Sequence, residues 1–321
     1  MSDRIIRAAL KCGKGCVRDN NEDAFYFNGR FAPLERMNDE TTLTESFPEG
    51  LLLFAVCDGM GGYDKGEVAS HMVASRMDRL RDSLSRMDFH SAVDQWITAA
   101  NQAVFSEVNG SGSTLALLYI ANGAVQAANV GDSRIYRWHN GKLTRMSRDH
   151  SKVQILIDAG IIKPEEAFTH PQRHVITRFL GMDEHEAGRC SAYFADPVSM
   201  VGRDRYLICS DGVTDMLTEE RIEKYIAEEK DFSVCAENIY QAALSAGGKD
   251  NTTLILLEFD WDGGEEILAD IQDCGIDFED TLPRGQHAER TALPTFTVEH
   301  NYSVNKGTGR ITILSRIVGQ F

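Results

Sequence analysis

Residues 114–146 read TLALLYIANGAVQAANVGDSRIYRWHNGKLTRM. Four runs of strand length lie in this stretch, TLALLYI, AVQAANV, SRIYRW and KLTRM, with no helix between them. Between the last two, His139-Asn140-Gly141-Lys142 is a hairpin signal, because Asn-Gly supplies the positive φ angles of a tight turn. Strands joined by short turns pair antiparallel, whereas parallel neighbours need a long crossover. The stretch therefore argues for antiparallel sheets and against a doubly wound parallel sheet.

Working outward, short strands are expected at 5–10, 24–28, 51–57, 205–209 and 252–259. The polar stretch 33–50, bounded by prolines, reads as an inserted loop. Val68, Met72, Val73, Met77, Leu80 and Leu84 recur at helical steps and predict one amphipathic helix. Val93, Trp96, Ile97, Ala100, Val104 and Val108 predict another, closed by Gly110–Ser113. Lys152–Ala159 forms a short helix ending on Gly160, and residues 161–190 read as an irregular, polar surface segment. Thr218 caps a helix with Glu219 and Glu220 in its first turn, and a helix over 232–246 stops at Gly247-Gly248. The order predicts an α+β fold, a four-layer α-β-β-α sandwich of two antiparallel sheets flanked by helix pairs.

The chain has 321 residues, 42% hydrophobic and 26% charged, enough for a large core without disulfides or structural zinc. The formal charge of −16 disfavours nucleic acid as a partner. Seven scattered cysteines form no C-x-x-C pair, so neither a disulfide framework nor a zinc knuckle is expected. No stretch approaches the length of a membrane span, and the N-terminus lacks a signal-peptide core, so a cytoplasmic protein is expected. Nine acids and no Lys or Arg fall between Asp260 and Asp280. Further on, Phe296, Val298, His300, Tyr302 and Val304, then NKGTG, then Ile311, Ile313 and Ile317 read as a hairpin. The division expected is a domain over 1–259 and an extension over 260–321, an acidic linker followed by a β-hairpin. Two strands alone are marginal in water, so the hairpin is expected to dock on the main domain or on a partner.

Four aspartates each close an apolar run and sit among small turn residues: Asp58 in LLLFAVCDGMGG, Asp132 in AVQAANVGDSRIY, Asp211 in DRYLICSDGVTD and Asp250 in GGKDNTTLILLEF. One Asp-Gly is commonly just a turn. Four in one predicted sandwich would bring negative charge to a common edge, where it repels unless a cation intervenes. Carboxylate oxygens suit a hard divalent ion. The turn Arg18-Asp19-Asn20-Asn21-Glu22-Asp23 adds further carboxylates and an arginine, and alone reads as a solvated loop.

R-x-x-N-E-D-A, C-D-G-M-G-G-x-x-x-G-E-V-A-S, V-G-D-S-R-I-Y, C-S-D-G-V-T-D and G-G-K-D-N-T-T, in this order over roughly residues 5–258, resemble the metal-dependent protein phosphatase family (protein phosphatase 2C), bacterial branch. The resemblance implies a β-sandwich flanked by helix pairs and a Mn²⁺/Mg²⁺-dependent serine/threonine protein phosphatase. It implies two Mn²⁺ or Mg²⁺ ions and a weaker third. Asp58 would bridge the pair, and the Gly59 carbonyl would ligate one ion. Asp211 and Asp250 would hold the other, and Asp23, with Glu22, would hold the second ion directly or through water. Asp132 would serve the third ion, assisted by Asp215, and Arg18 would clamp phosphate. Attack by a metal-bridging hydroxide, without a phosphoenzyme, is the implied mechanism.

Met60 stands where eukaryotic members carry a histidine, which excludes a general acid from that motif and leaves proton donation to metal-bound water. Ser111-Gly112-Ser113-Thr114 replaces the usual M-G-T-T and reads as structural. His150, His170 and His174 lie in the loop-rich region and read as structural or solvated. Phosphoserine and phosphothreonine proteins are the implied partners, together with a cognate Ser/Thr kinase. Two other functions stay open on the residues: hydrolysis of a small phosphate ester, and a phosphoprotein-binding regulatory module without turnover.

Overall fold

A computed structural model describes residues 4–61, 65–108, 110–261, 297–304 and 311–318. The chain opens with β1 (Ile5–Gly13), β2 (Asp23–Phe27), β3 (Thr41–Pro48) and β4 (Leu52–Gly61). Helices α1 (Gly66–Ser75), α2 (Met77–Leu84) and α3 (Phe89–Glu107) follow, then β5 (Ser111–Ser113), β6 (Leu115–Ala121), β7 (Ala124–Val130), β8 (Arg134–His139) and β9 (Lys142–Arg145). An arm carries α4 (Lys152–Asp158), α5 (Pro164–Ala167) and α6 (Glu184–Ala187). The short strands β10 (Tyr193–Phe194) and β11 (Val198–Ser199) lead to β12 (Arg205–Cys209), α7 (Asp211–Thr214), α8 (Glu219–Glu228), α9 (Phe232–Ser245) and β13 (Thr252–Asp260).

The strands form two antiparallel sheets, ordered β3-β1-β13-β12-β8-β9 and β10-β7-β6-β4-β2. Between them lies a core built from alternate residues of both, including Ile6, Leu10, Phe54, Leu118, Ile208 and Ile255. The other face of the β4 sheet packs on α1–α3 through Leu53, Ala55, Val73, Leu80 and Ile97. The other face of the β13 sheet packs on α8 and α9 through Leu207, Leu256, Ile222 and Ile239. These are the four expected layers. The β8–β9 turn places Asn140 at φ 50° and Gly141 at φ 79°, as the hairpin signal requires. Among the described residues, no helix is long and apolar enough to cross a membrane.

Four local expectations change. Residues 41–48 of the expected loop form edge strand β3, paired with β1 from Thr41 to Pro48. Their alternation sends Leu43 and Phe47 onto the inter-sheet core. The helix expected from Val68 to Leu84 is divided at Arg76, whose carbonyl accepts a hydrogen bond from Trp96 Nε1 at 3.1 Å. Ser111–Ser113 pair with Gly59–Gly61 as a short strand, whereas a simple helix stop was expected. The segment 161–190 contains two single-turn helices, α5 and α6.

The chain divides into two compact units, Met1–Asp270 and Ile271–Phe321. In the second, β14 (Thr297–Val304) pairs antiparallel with β15 (Ile311–Val318), with Val304 opposite Ile311. In the first, Trp261 stacks on Phe259 with centroids 5.3 Å apart, just past the expected boundary at residue 259. The acidic run from Asp262 onward lies outside the described residues.

Phe54 is fully buried, and its ring lies 5.3 Å from Phe27 and 5.8 Å from Phe47. Phe54→Ala is expected to cost about 3–5 kcal/mol of stability, because these aromatics join both sheets. Urea unfolding measures it, and a loss under about 1 kcal/mol would contradict a shared inter-sheet core.

Candidate metal centre

Strand register delivers the first two carboxylates. Asp23 on β2 lies directly opposite Asp58 on β4, a cross-strand like-charge pair that destabilises a sheet when both are ionised. The Asp58 N–H donates to Thr114 Oγ1 at 2.9 Å, and the Thr114 N–H donates to the Asp58 carbonyl at 2.8 Å. Thr114 Oγ1 also shares a 2.6 Å hydrogen bond with Ser133 Oγ, next to Asp132. One threonine thus couples two of the acidic strand ends. At Gly59 a Cβ would meet the carbonyl oxygens of Gly66 at 2.2 Å and of Glu22 at 2.5 Å, so only glycine permits this approach.

The other carboxylates arrive from the opposite sheet. β12 ends at Cys209, and Asp211 begins the single turn α7, a helical start where the sequence suggested an Asp-Gly turn. Ser210 Oγ donates to Asp23 Oδ2 at 2.7 Å, across the two sheets. Asp250 precedes β13, and Arg18 Nη2 donates to its Oδ2 at 2.6 Å. Arg18 thus sits at the rim, half exposed and engaged with one of the expected metal ligands.

Asn251 fastens the N-terminal turn to this edge. Its Nδ2 donates to the carbonyls of Lys14 and Asn20 at 3.1 and 2.8 Å, and its Oδ1 accepts the Glu22 N–H at 2.8 Å. The Cys16 N–H adds a bond to the Gly248 carbonyl at 2.7 Å. Asn251, Thr114 and Ser210 were not among the expected site residues. Each is a small polar residue in a turn motif, and sequence supplies no signal separating it from an ordinary turn former.

Convergence is written in the electrostatics. Burial, then Asp211, Asp23, Asp132 and Asp250, push the Asp58 carboxyl well above the usual carboxylate range. Burial, then Asp132, Asp215, Asp250 and Asp23, do the same to Asp211. Asp23 is pushed up to about 7 by burial, against the hydrogen bond from Ser210. Asp132 is pushed up to about 7 by burial and then Asp149. Burial raises Glu22 and Asp215 as well. The repulsion is real only in the absence of positive charge, and Asp23 Oδ1 and Asp132 Oδ1 are buried with no hydrogen-bond partner. A set of hard, partly unsatisfied oxygens fits a divalent cation such as Mg²⁺ or Mn²⁺.

The sandwich, the register of Asp23 on Asp58 and the convergence of Asp132, Asp211 and Asp250 coincide with a known family: the Protein phosphatase 2C description matches residues 35–246. The chain belongs to the protein phosphatase 2C family. It is 32% identical over 298 residues to the serine/threonine protein phosphatase PstP of Mycobacterium tuberculosis, covering 90% of this chain and 52% of PstP. The chain thus spans about half the length of that relative. It is 30% identical to the serine/threonine phosphatase stp of Listeria monocytogenes, covering 79% of this chain and 96% of stp. Among solved structures, the M. tuberculosis PstP/Ppp phosphatase superposes with a TM-score of 0.66 at 31% identity, covering 80% of this chain and all of that one. The catalytic domain of PstP in complex with two manganese ions gives 0.64 at 29%, with the same coverage.

Within this protein phosphatase 2C chain, the nine expected site residues, Arg18, Glu22, Asp23, Asp58, Gly59, Asp132, Asp211, Asp215 and Asp250, meet at one edge of the sandwich. Tyr63, which follows the motif glycines, lies outside the described residues. One neighbour was not expected: His174, whose Nδ1 lies 3.2 Å from Asp215 Oδ2.

Asp58→Asn removes one of the mutually repelling charges and keeps the side-chain size. In chelator it is expected to stabilise the protein by about 1–3 kcal/mol, read as a higher melting temperature. A lower melting temperature in chelator would contradict the repulsion. Asn251→Ala leaves two carbonyls and one N–H without partners and is expected to cost about 2–4 kcal/mol by urea unfolding.

Proposed function

We propose that the chain is a Mn²⁺/Mg²⁺-dependent serine/threonine protein phosphatase acting by direct displacement at phosphorus. The observation that carries this is the cluster of buried carboxylates from both sheets, with two oxygens left unsatisfied. Asp58 would be shared by two ions, with the Gly59 carbonyl on one and Asp211 and Asp250 on the other, and Asp23, with Glu22 beside it, would hold the second ion directly or through water. Asp132 with Asp215 would hold a weaker third. Bound there, the ions supply an activated water and positive charge facing the phosphoryl oxygens.

The chain's own groups do the rest. Arg18 stands at the mouth of the centre, and its planar fork suits two phosphoryl oxygens better than an ammonium would. Ser210 and Thr114 hold Asp23 and Asp58 so that the cluster is organised before substrate arrives. Cys57 adjoins Asp58, but burial, then Asp23 and Asp58, push its thiol up, so it is no thiolate nucleophile. That supports displacement without a phosphoenzyme. Met60 occupies the position next to Gly59 and has no proton to give.

A phosphoprotein substrate is supported by the names of the relatives and by the surface beside the centre. The arm that brings His174 to Asp215 exposes Ile161, Phe168 and Val175, side chains that suit a polypeptide more than a small ester. The proposal expects phosphate release from phosphoserine and phosphothreonine peptides only with Mn²⁺ or Mg²⁺. Chelation should abolish it, and Asp58→Asn should lower kcat/KM by roughly 10²–10³-fold or more. Full turnover in EDTA would sink the reading. A higher kcat/KM on phosphorylated metabolites than on peptides would move the substrate class to small esters.

A further inference from the structure

His174 lies between α5 and α6, outside the strands that build the centre. Its backbone is nevertheless held in place: the Lys152 N–H donates to the neighbouring Val175 carbonyl at 2.8 Å, and Thr177 N–H donates to the His150 carbonyl at 2.7 Å. One ligand atom from each of His174, Asp211 and Asp215 lies within 4.8 Å of the other two. Ligands at about 2.0–2.2 Å from one ion are separated by about 3–4 Å, so small side-chain movements close this triad on a cation. A second observation points into the same place. Asp132 is only 8% exposed, its Oδ1 has no partner, and it is the strongest charged neighbour acting on Asp211.

We propose that His174 is an imidazole ligand to the divalent cation that Asp132 and Asp215 would hold, with Asp211 beside it, so that the arm is fastened to the centre through the metal. The proposal rests on the metal-dependent reading above and adds a nitrogen donor from the arm to its weakest ion position. A simple His174–Asp215 ion pair is the competing account. The two differ in what the metal sees. Imidazole favours Mn²⁺, Co²⁺ or Zn²⁺ over Mg²⁺, whereas an all-oxygen site suits Mg²⁺ as well as Mn²⁺. Loading this position would also fix the His174 side chain, half exposed on a backbone that is already hydrogen-bonded in place.

The test is Mn²⁺ titration of the full chain, followed by calorimetry and by pulsed electron paramagnetic resonance, which detects ¹⁴N coupled to bound Mn²⁺. The wild type should develop a directly coupled nitrogen as the weakest site fills. His174→Ala should lose that signal and weaken only that site, by about tenfold or more, with the tighter sites unchanged. The His174 side chain is 52% exposed, so the variant should fold normally. Tight Mn²⁺ binding with no nitrogen coupling at any loading would overturn the role of His174 and leave the metal-dependent reading intact. Retention of the coupling in His174→Ala would overturn it equally. Absence of any Mn²⁺ binding would overturn both.

Discussion

The constraint on which this architecture turns is the repulsion among carboxylates that the sandwich forces together. Asp23 faces Asp58 across two hydrogen-bonded strands, and Asp132, Asp211 and Asp250 act on the same carboxyl from other strand ends. Left to themselves such groups would take up protons or move apart. The fold denies them the second choice. Thr114 holds the backbone at Asp58, Ser210 holds one oxygen of Asp23, and both residues directly adjoin strands anchored in packed cores, Thr114 just before β6 and Ser210 just after β12. Stability given up at this edge would favour cation binding, because the same rigidity that prevents escape leaves oxygens ready for an ion.

Closure of the centre also depends on joining distant parts of the chain. The turn that carries Arg18, Glu22 and Asp23 is tied to the last strand by Asn251, about 230 positions away, and by Cys16 to Gly248. β1 and β13 pair along their whole length from Ile5–Asp260 to Gly13–Thr252. The site therefore exists only once β1 and β13 have met. Such long-range pairing comes late and is entropically costly to close. A loosened pairing of β1 with β13 would shift Arg18, Asp23 and Asp250 together, even though none of the three would be altered.

Much of this could be read in the residues, for identifiable reasons. Uninterrupted strands over 114–146 and Asn140-Gly141 announce antiparallel sheets because turn chemistry and period-2 patterning are local. The acidic strand ends announce themselves because a carboxylate after an apolar run is anomalous. β3 was missed because Thr and Glu dominate its alternation and only Leu43 and Phe47 mark the buried face. The break at Arg76 depends on Trp96, twenty residues away, which no local pattern reports. Asn251, Thr114 and Ser210 act through backbone hydrogen bonds set by tertiary geometry, so nothing in their immediate sequence separates them from turn formers. His174 is the extreme case: its segment is polar and irregular, and only the folded chain brings it to Asp215.

The two rims of the centre are chemically unlike, and the difference assigns them different work. Near Asp250 the cation is Arg18, permanently charged and half exposed. It can exchange a carboxylate for phosphoryl oxygens without any change of protonation. Near Asp215 the basic group is an imidazole, which can carry a proton or offer a lone pair, but not both at the same nitrogen. A rim built for an incoming anion needs the first property. A rim that takes up a cation needs the second, offered by a side chain that can turn onto the ion from a backbone already held in place. His174, on an arm outside the sheets, meets that requirement, while Asp211 and Asp215 sit on the same helical turn and do not move independently. On the proposed reading, the Arg18 side would receive the phosphoryl group and the His174 side would hold a cation, so the two rims would not compete for one ligand.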